Sequence, residues 1–215
     1  MRFFSFWRSL ASYRVRIALN LKGLTAEVID VDLMRGDQRA PAFKAVNPMM
    51  ALPALSDGEG PALYESLAIL EYLDETNPVP PLLPSEPRGR ARVRGLAQIV
   101  ACDSHPLIVP RVRDYLEREF GVGDAARMAW CRHWTAAALA GLEAHLASEA
   151  DTGSFCHGEQ PTIADICLMS QVAAAKFFDV DMAPYATVSR IAATCGAIEA
   201  FASAHPLRQP GAPAS

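Results

Sequence analysis

An α/β unit followed by an all-helical one is what this sequence predicts, on three observations. Residues 1–80 alternate short apolar strands with helical stretches. The segment "NPVPPLLPSEP", 77–87, carries five prolines, which cannot continue a helix and favour an extended connector. Beyond it the chain is a series of long 3.6-period segments without strand signals. The expected division is therefore an α/β domain over 1–80 and a helical domain over 88–215.

Taken in order, Met1-Arg2-Phe3-Phe4-Ser5-Phe6 reads as a short buried strand. Tyr13 to Lys22 reads as a helix with Val15, Ala18, Leu19 and Leu21 on its apolar side, with Ser12 as N-cap and Gly23 as the left-handed residue after its end. "TAEVIDVDL", 25–33, alternates like a strand. "LPAL", 52–55, and "PALYE", 61–65, flank the hairpin signal Asp57-Gly58, and "SLAILEYLDET", 66–76, is helical. The order is β-α-β, then a hairpin, then α. In the second half the helical segments begin at Arg88, Asp124, Thr162 and Thr187, and Thr162 and Asp165 in "PTIAD" have capping-box spacing.

Composition excludes several classes of function. Of 215 residues 51 % are hydrophobic and 20 % charged, as in an ordinary globular protein, and the net charge of −4 with no Lys/Arg block offers nothing to nucleic acid or an anionic membrane. No apolar run is long enough for a membrane span and no secretory leader is visible, so a cytoplasmic protein is expected. Cys102, Cys131, Cys156, Cys167 and Cys195 are widely spaced without CxxC, which suits reduced thiols. His105, His133, His145, His157 and His205 lack the paired spacing of a metal site, and no metal is expected.

The stretch "FWRSLASYRVRIAL", 6–19, poses a question of charge. Arg8, Arg14 and Arg16 surround a helix start, where the macrodipole is positive and cations are disfavoured. Either Arg14 and Arg16 pair with carboxylates elsewhere in the fold, or, for Arg8 and the neighbouring hydroxyls, an anion binds at this turn. Glu65-Ser66 opens the next helix in the same way, with Ser66 placed to cap it and free N–H groups offering a carboxylate site. Leu52-Pro53 joins the loop "NPMMA" to a strand, where proline costs no ladder donor.

In combination, the β-α-β plus β-β-α order, the Leu52-Pro53 loop, the Glu-Ser helix start, the proline-rich connector and "TIAD" resemble a cytosolic glutathione S-transferase, whose first domain is thioredoxin-like. "RSLASYRVRIALNLKGL" is similar to the zeta-class signature, in which a serine, a small or cysteine residue and another serine precede an aromatic residue and "RVRIAL". "NPMMALPAL", "YESLAILEYL", "LLPSEPRGRARVR", "CDSHPL", "VDMAPY" and "AFASAHPLRQP" extend the resemblance over nearly the whole chain. Zeta-class enzymes are known as maleylacetoacetate isomerases, with a bacterial branch acting on maleylpyruvate, and "FWRS" with Arg111 is closer to that branch.

The resemblance implies glutathione as cofactor and a cis-trans isomerisation of a maleyl dicarboxylate, in which the cofactor thiolate adds to the double bond, rotation follows and elimination returns glutathione. By family position Ser9 is the leading thiolate donor and Ser12 the second, while Leu52, Pro53, Glu65 and Ser66 hold the tripeptide, with Pro53 expected cis. Asp103 and His105 fall where the family lines the glutathione site near a homodimer interface. Arg8 and then Arg111 are the expected partners of substrate carboxylates, since guanidinium pairs carboxylate bidentately, with Lys176 third, where the related branch tends to carry arginine. Leu10, Ala11 and Ala51 depart from the signature, which at these positions favours small, hydroxyl, thiol or amide side chains. Conjugation or dehalogenation of small α-halo acids, and non-catalytic ligand binding, are the alternative uses of the same fold.

Overall fold

A computed structural model describes residues 1–213. It divides into two compact units, residues 1–82 together with the segment that starts at Ala197, and Leu83–Gly196. This differs from the expected helical domain of 88–215, whose last two residues lie outside the described ones. The physical reason is polar: Asn20 Nδ2 donates to the Ala200 carbonyl at 2.9 Å and to Ser203 Oγ at 3.1 Å, and Arg16 Nε donates to the Ala204 carbonyl at 3.0 Å. These bonds tie the C-terminal segment to the first helix.

In the first unit β1 (Arg2–Ser5), β2 (Glu27–Asp30), β3 (Ala54–Ser56) and β4 (Leu63–Tyr64) form one sheet in the order β2-β1-β3-β4. β1 runs parallel to β2 and antiparallel to β3, and β3 antiparallel to β4. Successive side chains of β1 point to opposite faces. Phe4 packs with Val31, Phe43 and Ala54 on one face, the Phe4 and Phe43 rings 5.9 Å apart, while Phe3 and its register partner Leu55 are buried on the other. Helices α1 (Leu10–Leu21) and α3 (Ser66–Thr76) contribute buried Val15, Ile17, Ile69, Leu70 and Leu73 to the core. Gly23 ends α1 at φ 64°, as its position predicts, and Gly58 turns the hairpin at φ 99°.

Two local differences from the sequence reading stand out. Helix α1 begins at Leu10 with Ser9, not Ser12, as N-cap. Helix α2 (Pro41–Val46) has no counterpart in the predicted order, because six residues burying only Phe43 leave no readable period.

The second unit contains α4 (Pro87–Gln98), α5 (His105–Ile108), α6 (Pro110–Phe120), α7 (Asp124–Ser148), α8 (Ile163–Phe177) and α9 (Ala186–Gly196), and α10 (Glu199–Ala202) belongs to the C-terminal segment of the first. The predicted helical stretch from Arg88 is divided: a π-helical segment, Ile99–Ser104, follows α4, and Pro106 and Pro110 open α5 and α6. Helix α8 is the centre, with eleven of fifteen residues buried, and it starts with the predicted capping box: Thr162 N and Oγ1 each donate to Asp165 Oδ2 at 2.8 Å. Among the described residues no helix is long and apolar enough to cross a membrane, and no group of three or more His, Cys, Asp or Glu stands ready for a metal ion.

Candidate active site

Sheet register alone gathers the predicted residues of the first unit. The C-terminal end of β1 leads through Arg8 to Ser9, and Phe4 near that end pairs with Ala54, the first residue of β3. Leu52-Pro53 therefore lies at the same end, and its peptide bond is cis, as the family resemblance implies. Ala54 also pairs with Tyr64, the last residue of β4, so Glu65 and Ser66 arrive there too. Three connections at one sheet end deliver Arg8, Ser9, Leu52, Pro53, Glu65 and Ser66.

At Ser9 the hydroxyl oxygen accepts the Ser12 N–H at 3.1 Å, the Ser9 N–H donates to the Phe6 carbonyl at 3.0 Å, and the Tyr13 N–H donates to the Ser9 carbonyl at 2.9 Å. A serine oxygen has two lone pairs and one proton. The cap uses a lone pair, which leaves the O–H proton to be donated outward. Ser12 Oγ, in the first turn of α1, is fully buried and has no hydrogen-bond partner. Neither α1 nor α3 carries an acidic residue in its first turn, so no carboxylate inside the first turn of either helix offsets the positive potential of its N-terminus, although the residue before α3 is Glu65. Leu10 and Ala11, where the signature differs, are buried.

At the start of α3, Ser66 is the first helical residue, and the cap position belongs to Glu65, whose side chain makes no capping bond. Glu65 sits at φ 64°, ψ 119°, a region a non-glycine residue enters at a cost of about 1–3 kcal/mol. Its carboxylate is exposed. Ser66 is buried, and its hydroxyl oxygen accepts from Arg14 Nη1 at 3.1 Å, which again leaves the serine proton for another acceptor. Arg14 is 1 % exposed and Arg16 8 %. The expected carboxylate pairing fails for Arg16, whose acceptors are Ser5 Oγ and the carbonyls of Phe6, Trp7 and Ala204. Burial pulls its pKa down to about 10, so it stays cationic at neutral pH.

The remaining predicted residues belong to the second unit and to separate elements. Asp103 is exposed on the π-helical segment, His105 half-buried at the start of α5, Arg111 exposed on α6 and Lys176 exposed in the last turn of α8. Between Asp103 and His105, buried Ser104 donates to the Trp134 carbonyl at 3.2 Å and accepts from Gln171 Nε2 at 3.0 Å, which holds the segment that carries them. The bonds of Arg14, Arg16 and Gln171 were not signalled in the sequence, since each spans to a partner set by the tertiary fold.

Residues 8–76 match the family model described as glutathione S-transferase, N-terminal domain. The chain is 44 % identical to a maleylpyruvate isomerase of Ralstonia over 98 % of its own length and 99 % of that protein, and 41 % identical to a maleylacetoacetate isomerase of Pseudomonas aeruginosa over the whole of both. Among solved structures, a maleylacetoacetate isomerase from Methylobacterium extorquens AM1 with bound malonate and glutathione superposes with a TM-score of 0.98 at 51 % identity, covering 100 % of each chain. A maleylacetoacetate isomerase from Anaeromyxobacter dehalogenans with bound dicarboxyethyl glutathione and citrate reaches 0.86 at 39 % identity, over 99 % of this chain and 97 % of that one.

Proposed function

The chain belongs to the zeta class of glutathione S-transferases, the maleylacetoacetate/maleylpyruvate isomerase family, and from that premise we propose how its own residues perform the glutathione-dependent isomerisation. The observation that carries the assignment of roles is the pair of helix N-termini at one sheet end, neither with an acidic residue in its first turn and each with a serine whose oxygen is engaged by the fold and whose proton is not. The orphaned, buried Ser12 Oγ beside Ser9 fits a sulfur anion at the first of them. The exposed Glu65 carboxylate and Ser66 at the second fit an α-amino acid end, one group for the ammonium and one for the carboxylate.

When bound, glutathione supplies a thiolate that adds reversibly to the cis double bond and so permits rotation to the trans isomer. Ser9 donates its hydroxyl proton to the sulfur, with Ser12 as second donor, and the α1 N-terminus adds its field. Lowering a thiol pKa by two units takes about 2.7 kcal/mol, within reach of a helix terminus plus one or two charge-assisted hydrogen bonds. Leu52, preceding cis Pro53, offers its backbone to the tripeptide. Arg8 pairs a substrate carboxylate and orients the double bond, and Arg111 and Lys176 are the further carboxylate partners that the family resemblance suggests. Asp103 and His105 serve the glutathione side by the same resemblance. The working protein is a cytoplasmic homodimer in this reading, supported by the family pattern and by the apolar and arginine-rich stretch 88–100.

The test is calorimetric titration with glutathione, followed by assays on maleylpyruvate and on maleylacetoacetate with free thiol counted throughout. Turnover without loss of thiol is the expected result. Loss of thiol with turnover of α-halo acids would mean conjugation, and binding without any turnover would mean a ligand-binding protein.

A further inference from the structure

Arg16 is buried without a carboxylate among its hydrogen-bond partners, a placement that an apolar residue of similar size would fill at lower cost. Its value lies in the fork of its donors. Nη1 reaches Ser5 Oγ at 3.1 Å and the Phe6 carbonyl at 3.3 Å, Nη2 the Trp7 carbonyl at 3.2 Å, and Nε the Ala204 carbonyl at 3.0 Å. The Phe6 carbonyl is also the acceptor of the Ser9 N–H, so it closes the turn that presents Arg8 and Ser9. Peptide groups are planar, so holding the oxygens of Phe6 and Trp7 orients the planes 6–7 and 7–8 directly before those two residues. The fourth acceptor comes from the C-terminal segment. That segment is held in turn by Asn20 on α1, by Gln209 Nε2 donating to the Ser203 carbonyl at 2.7 Å and the His205 carbonyl at 3.1 Å, and by Tyr13, whose ring meets His205 edge-on at 5.9 Å.

We propose that Arg16 is a positioning residue for the Arg8-Ser9 turn, braced from behind by the C-terminal segment through the Ala204 carbonyl. The proposal rests on the roles given above to Arg8 and Ser9. It makes a segment 188 residues away in sequence part of the machinery that aims the Ser9 hydroxyl, although that segment touches no reacting atom. Lysine at this position keeps the charge but is a point donor, unable to span carbonyls on both sides as the guanidinium does.

Two variants test it, Arg16→Lys and Gln209→Ala, the second loosening the segment around Ala204 from a residue outside α1. Amide hydrogen exchange over residues 6–12 in glutathione-free protein, ultraviolet titration of the bound thiolate, and kcat and KM across pH are measured for each. For Arg16→Lys the expected result is local exchange faster by about tenfold, a bound-thiol pKa higher by about one unit, and kcat at pH 7 lower by about tenfold, recovering at alkaline pH, with the KM for glutathione within about threefold. Gln209→Ala should move the same readouts in the same direction by about two- to threefold. Wild-type exchange and titration in Arg16→Lys, or lowered thermal stability with an unchanged pH profile, would overturn the proposal. If Arg16→Lys does not fold, Gln209→Ala decides, and wild-type behaviour in it overturns the proposal equally. A wild-type protein that neither ionises glutathione nor isomerises the dicarboxylates refutes instead the functional reading, while the exchange measurement still reports on the brace.

Discussion

Replacing Ser9 by alanine removes a helix cap and a proposed thiolate donor together, and pH separates the two losses. The cap, seen as the Ser12 N–H bonded to Ser9 Oγ at 3.1 Å, is worth about 1 kcal/mol of stability at any pH. The lost donor raises the bound thiol pKa, so Ser9→Ala should be slow at pH 7 and approach wild-type rates near the pKa of a free thiol. Ultraviolet titration of bound glutathione checks this, and superimposable curves would move the role to Ser12 and the helix end. Arg8→Ala should behave differently: kcat/KM for the dicarboxylate falls about tenfold to a hundredfold, the value of a charge-assisted pair, while the glutathione Kd changes little. Equal losses in both would make Arg8 a cofactor or folding residue. While the separate roles of Ser9, Glu65 and Ser66 came from the family resemblance, the concentration of polar chemistry at two helix starts, around Arg8 and at Glu65-Ser66, was legible in the sequence because local residue types mark it. Which serine caps α1 was not, since Ser9 and Ser12 are chemically equal and the turn closed on the Phe6 carbonyl makes the choice.

Single elements carry their own tests. The capping box of α8 lies in the core, with Thr162 6 % and Asp165 0 % exposed, and Thr162→Ala should cost about 1 kcal/mol, or about 2–4 °C in Tm, by calorimetry. At the end of α7, hydrogen bonds from His145 at 2.6 Å and from Arg92 hold the Glu149 carboxyl below the usual glutamate range. A depressed folded-state pKa means that the unfolded chain binds the proton first as pH falls. The stabilisation is thus present above the ordinary glutamate pKa and lost as pH drops through the lowered one. Glu149 is about one-third exposed, so its share is below about 1 kcal/mol. Glu149→Gln should lower the Tm slightly at pH 7 and flatten its decline between pH 5 and 3, and parallel wild-type and variant curves would argue against this. Helix α3 runs over Ser66–Thr76 as its apolar period predicts, whereas the stretch from Arg88 conceals a π-helical turn that no period marks. That turn is held by Ser104, which donates to a carbonyl of α7 and accepts from Gln171 of α8.

For the whole molecule the expectation is a homodimer that uses α3 and the first helices of the second unit, and sedimentation velocity across the micromolar range should show one dimeric species. A monomer throughout would refute it. By itself the sequence determined the fold class, an α/β part followed by a helical part, the mixed order of strands and helices in the first, and the capping box that starts α8. These follow from periodicity, turn chemistry and capping, all of which act over a few residues. Only the tertiary structure decided that the C-terminal segment joins the first unit, that Arg14 supports Ser66, and that Arg16 binds carbonyls rather than a carboxylate. A buried arginine takes whichever acceptors the packed backbone presents within reach. Those acceptors lie up to 188 residues away along the chain and leave no local pattern to read.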